Sequence, residues 1–300
     1  WCAWWETCRP RMDDDDISLR ISKTPLDVRE LQTLMGLGIT TVSQLADADV
    51  EALLPDYLPL TAHRDRSEAR LRTAARRARM LKRGVALEKV SVDPIGVPRA
   101  PVEVDLDIET DDSDRTYLWG VLLTDRATGK QKYQHFSTFS YLSPSGELDL
   151  AADFARWLVR LARKHPGLLV YHYSDYEVVH LRRMAQRSGH PDLLAACDLV
   201  KEHFVDLFQL VRDNFVAVDG LGLKVVAAKG AGFSWRDEEP GGLNSQTWFA
   251  TAVDGGNAAE RKAARRRVLE YNEDDVRATW HVREWMERLD SQSDEDAQAT

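Results

Sequence analysis

Two acidic stretches far apart in the chain hold the residue types that bind divalent cations. The first is Pro101–Thr110, reading Pro-Val-Glu-Val-Asp-Leu-Asp-Ile-Glu-Thr. Val102, Val104, Leu106 and Ile108 take one parity; Glu103, Asp105, Asp107 and Glu109 take the other. A strand sends successive side chains to opposite faces, so this spacing predicts an apolar face backing a row of carboxylates. Such a row repels itself unless water, bases or metal ions offset it. A solvated edge strand would satisfy the pattern, and so would a metal-binding strand with Asp107 and Glu109 facing the ion. The second stretch, Leu269–Trp280, decides between them. There Tyr271 and Asp275 lie four apart and share a helix face. Cleavage of a phosphodiester by two metal ions needs several carboxylates around ions about 3.5–4 Å apart, with a group to orient the attacking water. A strand giving two acids and a helix giving an acid and a phenol meet most of that need. Glu103 and Asp105 are then expected as rim residues.

The strand must lie in a sheet and the helix must cross it. Tyr117–Thr124 and Gln131–Phe139 read as further strands, Leu168–Tyr173 as a buried one, and Phe204–Leu207 as a short strand leading into a helix. Helices are expected over Asp153–Lys164, Tyr176–Arg187 and Ala258–Leu289, with residues 220–247 glycine-rich and loop-like, with short elements. A meander followed by strands alternating with helices predicts an α/β domain on a mixed sheet over residues 98–290. Residues 291–300 are polar and acidic, as in a disordered tail or linker.

The 300-residue chain is 43% hydrophobic and 30% charged, with a net charge of -9. That composition suits a globular protein and argues against whole-molecule attraction to nucleic acid, though not against local basic patches. The sequence has neither an apolar run of about 18 residues nor a signal peptide, so no membrane association is expected. Three cysteines are too few for a disulfide framework, which points to a reducing cytoplasm. A first residue of Trp1 suggests a fragment of a larger protein. Residues 21–93 read as helical. Pro25-Leu26-Asp27 starts a helix, Gly36–Ile39 breaks it and Thr41 starts another, an outline like a helix-hairpin-helix whose turn amides can meet a phosphate. Residues 64–83 carry nine bases and two acids, an excess of +7. That excess makes Arg70, Arg76 and Arg77 candidates for nucleic-acid backbone contact. Lys224 and Arg266 are further candidates, with a solvated surface as the plainer account of each. Trp235 and Trp248 are expected to pack in the core or at the rim rather than stack on bases. Asp206 divides evenly between a helix cap and a site role.

The pairing of Asp107-Ile108-Glu109-Thr110 with Tyr271-x-x-x-Asp275 resembles the first and last motifs of the DEDD exonuclease superfamily in its tyrosine-bearing form. With Tyr171–Glu177, Val205-Asp206-Leu207 and Tyr271–Val276, residues 98–290 resemble an RNase H-like, YprB-type domain of RecB-like nucleases. The resemblance implies a 3′-end-directed exonuclease acting on DNA or RNA. It implies two Mg²⁺ or Mn²⁺ ions held by Asp107, Glu109, Glu177 and Asp275, with Tyr271 positioning the water. Lys224 would contact substrate phosphate. The middle motif departs from the family, with His172 where Asn is usual and Tyr176-Glu177 where Phe-Asp is usual; Asp175 is the rival acid. The alternative is therefore a nucleic-acid-binding module with a weak or inactive site. Residues 1–20 resemble the end of an upstream cysteine-cluster domain, with Cys2 and Cys8 the last ligands of an iron–sulfur centre present only in a longer parent chain. A helicase domain in that parent is the implied partner.

Overall fold

The computed structural model describes residues 5–12, 14–20 and 26–298. The chain divides into two compact units, Trp1–Ser91 with Asn214–Leu221, and Val92–Asp213 with Gly222–Thr300. Among the described residues, no helix is long and apolar enough to cross a membrane.

In the first unit, short helices α1 (Trp5–Cys8) and α2 (Ile17–Arg20) precede α3 (Val28–Gly36), α4 (Val42–Asp47), α5 (Val50–Leu60) and α6 (Ser67–Lys82). Cys8 is an exposed free thiol, and Cys2 lies outside the described residues. Asp27 and Thr41 begin α3 and α4, each in a reciprocal capping box with the residue three positions on. Between them Gly38 turns the chain at φ +84°, a conformation that favours glycine. The turn amides are already committed. Gly38 N–H donates to Met35 O, Ile39 N–H to Leu34 O, and the Thr40 and Thr41 amides to Gln44 Oε1. The phosphate contact predicted for this turn therefore has no free donor among those four.

The basic helix departs from expectation for a related reason. Buried Glu30 receives Arg70 Nε at 2.9 Å and Nη2 at 2.5 Å, beside the Tyr57 hydroxyl. Arg72 pairs with Glu51 and Glu68, Arg76 and Arg83 with Glu88, and Lys82 with Asp47. Arg77 is partly buried. Acids from elsewhere in the unit offset part of the local positive charge, and Arg70 and Arg76 are engaged in ion pairs with them. A short strand, β1 (Leu87–Lys89), closes the unit by pairing antiparallel with Phe215–Ala217.

The second unit is built on β2 (Val102–Thr110), β3 (Thr116–Asp125), β4 (Lys130–Ser137), β5 (Leu169–His172) and β6 (Phe204–Asp206), in the order β4-β3-β2-β5-β6. The first three are antiparallel, and β5 and β6 run parallel to β2. Helices α7 (Pro144–Lys164), α8 (Tyr176–Ser188), α9 (Pro191–His203), α10 (Leu207–Asn214), α11 (Leu223–Lys229), α12 (Gly242–Asp254) and α13 (Ala258–Gln298) surround the sheet. This is the mixed, helix-flanked α/β architecture the sequence predicts, with two differences. The loop-like region holds the short α11, as expected, but also starts the 13-residue α12, whose Trp248, Phe249 and Ala252 give it a buried face. And α13 continues to Gln298 through residues expected to form a tail.

The two parities of β2 meet different neighbours. Val104, Leu106 and Ile108 join Phe154 and Leu158 of α7, Leu181 of α8 and Leu193 of α9 in the main core. On the acidic parity, Glu103 and Asp105 are fully buried rather than at a rim. Arg283 of α13, also fully buried, forks onto Asp105 at 2.8 and 3.0 Å and reaches Glu103 at 2.5 Å. Its guanidinium lies 4.5 Å from the centre of the Tyr171 ring. Buried carboxylates require such partners, because leaving water unpaired costs several kcal/mol.

Candidate metal centre

Two residues further along the same row stands Asp107, and two beyond that Glu109. Two helical turns before Arg283 stands Asp275. One carboxylate oxygen from each of Asp107, Glu109 and Asp275 lies within 4.8 Å of the others. Tyr271, one turn earlier on α13, is buried beside them.

Each of the three acids is held by a neutral donor. Asn272 Nδ2 donates to Asp107 Oδ2 at 2.7 Å. Ser245 Oγ, from α12, donates to Glu109 Oε2 at 2.5 Å and also bonds the Tyr117 hydroxyl. Trp235 Nε1 donates to Asp275 Oδ1 at 2.6 Å. Asn272 is itself fixed, since its Oδ1 accepts from the Tyr133 hydroxyl at 2.8 Å. Gly120 of β3, the cross-strand neighbour of Asp107, gives it room; a Cβ there would come within 1.6 Å of Asn272 Oδ1. These donors were not identified from sequence, and Trp235 was expected only to pack. Asn272 alone had a local signal, its place immediately after Tyr271.

Glu177 arrives from another direction. The ends of the parallel strands β2, β5 and β6 lie together, and α8 starts just after β5. Ser174 adopts a left-handed φ of +80° there, uncommon outside glycine. Asp206 holds that bend by accepting from Ser174 N–H at 3.0 Å, and caps α10 by accepting from Phe208 N–H at 2.9 Å. This is the cap role. Behind the bend Glu177 is buried while Asp175 is exposed. Glu177 Oε2 is buried and accepts no hydrogen bond; His172 Nδ1 lies 3.8 Å away.

The charges explain the electrostatics. Burial raises the Asp107 carboxyl well above its usual range, and Asp275, Glu109 and Glu177 raise it further. Burial, then Asp275, pushes Glu109 up to about 8. Burial, with Asp206 and Asp175, pushes Glu177 up to about 8. Asp275 is raised by burial against the pull of Lys224 and the Trp235 and Tyr271 hydrogen bonds. Among the described residues the cation beside the cluster is Lys224, whose Nζ donates to the Tyr271 hydroxyl at 2.9 Å and lies 3.5 Å from Asp275 Oδ2. Three buried acids and the half-buried Asp107 share this one ammonium, so their ionised forms lack sufficient counter-charge. The donor set is entirely carboxylate oxygen, which suits hard divalent ions. The orphaned Glu177 oxygen fits the same account.

Arg266 is exposed on α13 and sits 3.9 Å from Glu270. Arg70, Arg76 and Arg77 belong to the other unit.

No curated protein matches the chain. The RNase H superfamily family model, RNase_H_2, matches residues 104–287, from within the acidic strand to just past Arg283 on α13, and the chain belongs to that superfamily.

Proposed function

We propose that this protein is a metal-dependent nuclease that hydrolyses phosphodiester bonds of DNA or RNA, acting from 3′ ends as a tyrosine-bearing DEDD exonuclease of the YprB type. The observation that carries the reading is the convergence of Asp107, Glu109 and Asp275 beside Tyr271. Those three acids and Glu177 would hold two Mg²⁺ or Mn²⁺ ions. Bound there, the ions would acidify an attacking water and offset charge on the leaving oxygen.

The side chains have separate tasks. Burial, then Asp275, raises the Tyr271 phenol far above neutrality, so it stays protonated and orients water rather than deprotonating it. Asn272, Ser245 and Trp235 each fix one ligand oxygen, which sets the angle at which the other faces the ions. Lys224 is partly exposed and can turn from Asp275 to a substrate phosphate. A helicase-linked RecB-like parent, with residues 1–20 as the remnant of its cysteine-cluster domain and 21–93 as its connector, remains part of this proposal.

Purified protein with Mn²⁺ is expected to shorten labelled single-stranded DNA or RNA from the 3′ end, and Asp107→Asn to abolish the activity. The departure at His172 and Glu177 favours a second reading, a binding module without cleavage. Salt-sensitive binding with no product at any Mn²⁺ concentration would establish that reading instead.

A further inference from the structure

The chain between α11 and α12 forms a strap that belongs to neither sheet. Phe233, Trp235 and Asp237 are its more enclosed side chains, alternating with Ser234 and Arg236 as along any extended segment. Three successive residues of the strap grip α13, running back along it from Asp275 towards Arg267. Trp235 Nε1 donates to Asp275 Oδ1. Arg236 donates to Asp274 from its backbone N–H and from Nε, both at 2.8 Å, and to the Glu270 carbonyl from Nη2 at 2.7 Å. Asp237 accepts from Arg267 Nε at 2.5 Å.

The middle contact differs from its neighbours. Asp274 is buried, and a buried carboxylate is costly without partners. Two donors from one residue fix the strap to it in angle as well as distance. The Arg236 side chain is about half exposed and bonds Asp274, Glu270 and Glu273, none of them in the metal cluster. Its neighbour Trp235 is the indole that holds Asp275. Lys224 lies over the faces of two rings, 5.5 Å from the centre of Trp235 and 5.0 Å from that of Tyr271, so the strap also forms one wall of the ammonium's seat. Glycines bracket the strap, Gly232 at φ +70° and the pair Gly241-Gly242. Backbone so free to turn leaves the side-chain contacts with α13 to hold the strap in place.

We infer that Arg236 is a positioning residue of the metal cluster: by clamping the strap to Asp274 it keeps Trp235 on Asp275. The inference rests on the proposed reading of Asp275 as a metal ligand. Arg236 itself touches neither ion nor substrate and acts only through the indole.

The test measures Mn²⁺ binding by calorimetry on the full chain, without nucleic acid. Arg236→Met and Trp235→Phe are each expected to weaken Mn²⁺ binding about tenfold. Combined, they are expected to weaken it no further than either alone, whereas independent effects would multiply to about a hundredfold. A second variant, Arg236→Met with Asp274→Leu, removes both partners and leaves no buried acid unpaired, so the fold is retained while the strap is released. It is expected to show the same tenfold loss. The metal-free readout is tryptophan emission, taken as the difference between each protein and its Trp235→Phe counterpart. That component is expected to move to longer wavelength in Arg236→Met, as the indole leaves Asp275 for water. An unmoved component with unchanged Mn²⁺ affinity overturns the inference, and so does a loss that adds to that of Trp235→Phe. A non-additive loss in a protein that cleaves no nucleic acid upholds the role of Arg236 and overturns the nuclease reading.

Discussion

The two halves of the β2–α13 contact are made from the same materials and do opposite things. Along β2 the acids come in one row, Glu103 and Asp105 at one end, Asp107 and Glu109 at the other. Along α13 the facing residues Tyr271, Asp275, Thr279 and Arg283 recur every fourth position. Where the helix offers Arg283, the two acids are charge-paired and fully enclosed. Where it offers Asp275, a third acid is added to the first two. One half is a structural lock that needs nothing from outside. The other stores repulsion that a divalent ion can relieve. The sign of one helix residue therefore decides whether an acidic strand is structural or ligand-binding.

The comparison breaks most visibly at Arg283. Arg283→Ala removes the paired cation of buried Asp105 and leaves Glu103 with Arg99 and the more distant Arg126; it is expected to cost about 3–5 kcal/mol, read as a lower denaturation midpoint. Asp107→Asn, at the other end, is expected to leave the metal-free protein as stable as wild type or more so, because it removes like charge. If both substitutions destabilise alike, the distinction between the halves fails. Gly120→Ala should come next. The added methyl displaces Asn272 and with it the donor to Asp107, so Mn²⁺ affinity by calorimetry is expected to fall about 10- to 100-fold.

The pH response sharpens the contrast further. Glu109 and Glu177 are raised to about 8 from an ordinary value of 4.5. Between those values the folded protein holds protons that the unfolded chain has lost, so stability falls as pH rises. The slope is at most about 1.4 kcal/mol per pH unit for each group. Metal-free Tm is therefore expected to drop from pH 5 to pH 8, and saturating Mn²⁺ to restore more stability at pH 8 than at pH 5. A metal-free Tm that rises over this range would contradict the account. The smallest effect is expected from Lys224→Met. Without the competing ammonium beside Asp275, Mn²⁺ alone should bind roughly tenfold tighter, about 1.4 kcal/mol.

What the sequence made legible follows the range of each interaction. The alternation of β2 and the four-residue spacing of Tyr271 and Asp275 are local periodicities, and the structure brings those residues together. The mixed sheet follows from similar local patterns. Arg283 could not be assigned, because its partners lie 178 and 180 residues away and an arginine late in a helix looks like any surface base. Ser245 and Trp235 sit in a stretch whose glycines hide a helix and a hydrogen-bond donor. The basic helix is half legible for the opposite reason. Its charge is evident in one segment, while Glu30, Asp47, Glu51 and Glu88, which offset it, come from others.

The pairing of β1 with Phe215–Ala217 bears on the order in which the chain can acquire its structure during synthesis. The helices of the first unit can pack as soon as they emerge, but their closing strand is translated more than a hundred residues later, after all five strands of the second unit's sheet. A ribosome releases about 5–20 residues each second, so the first unit waits several seconds with one strand edge open. A product stopped near residue 93 would keep that edge unpaired and would be a candidate for association through it.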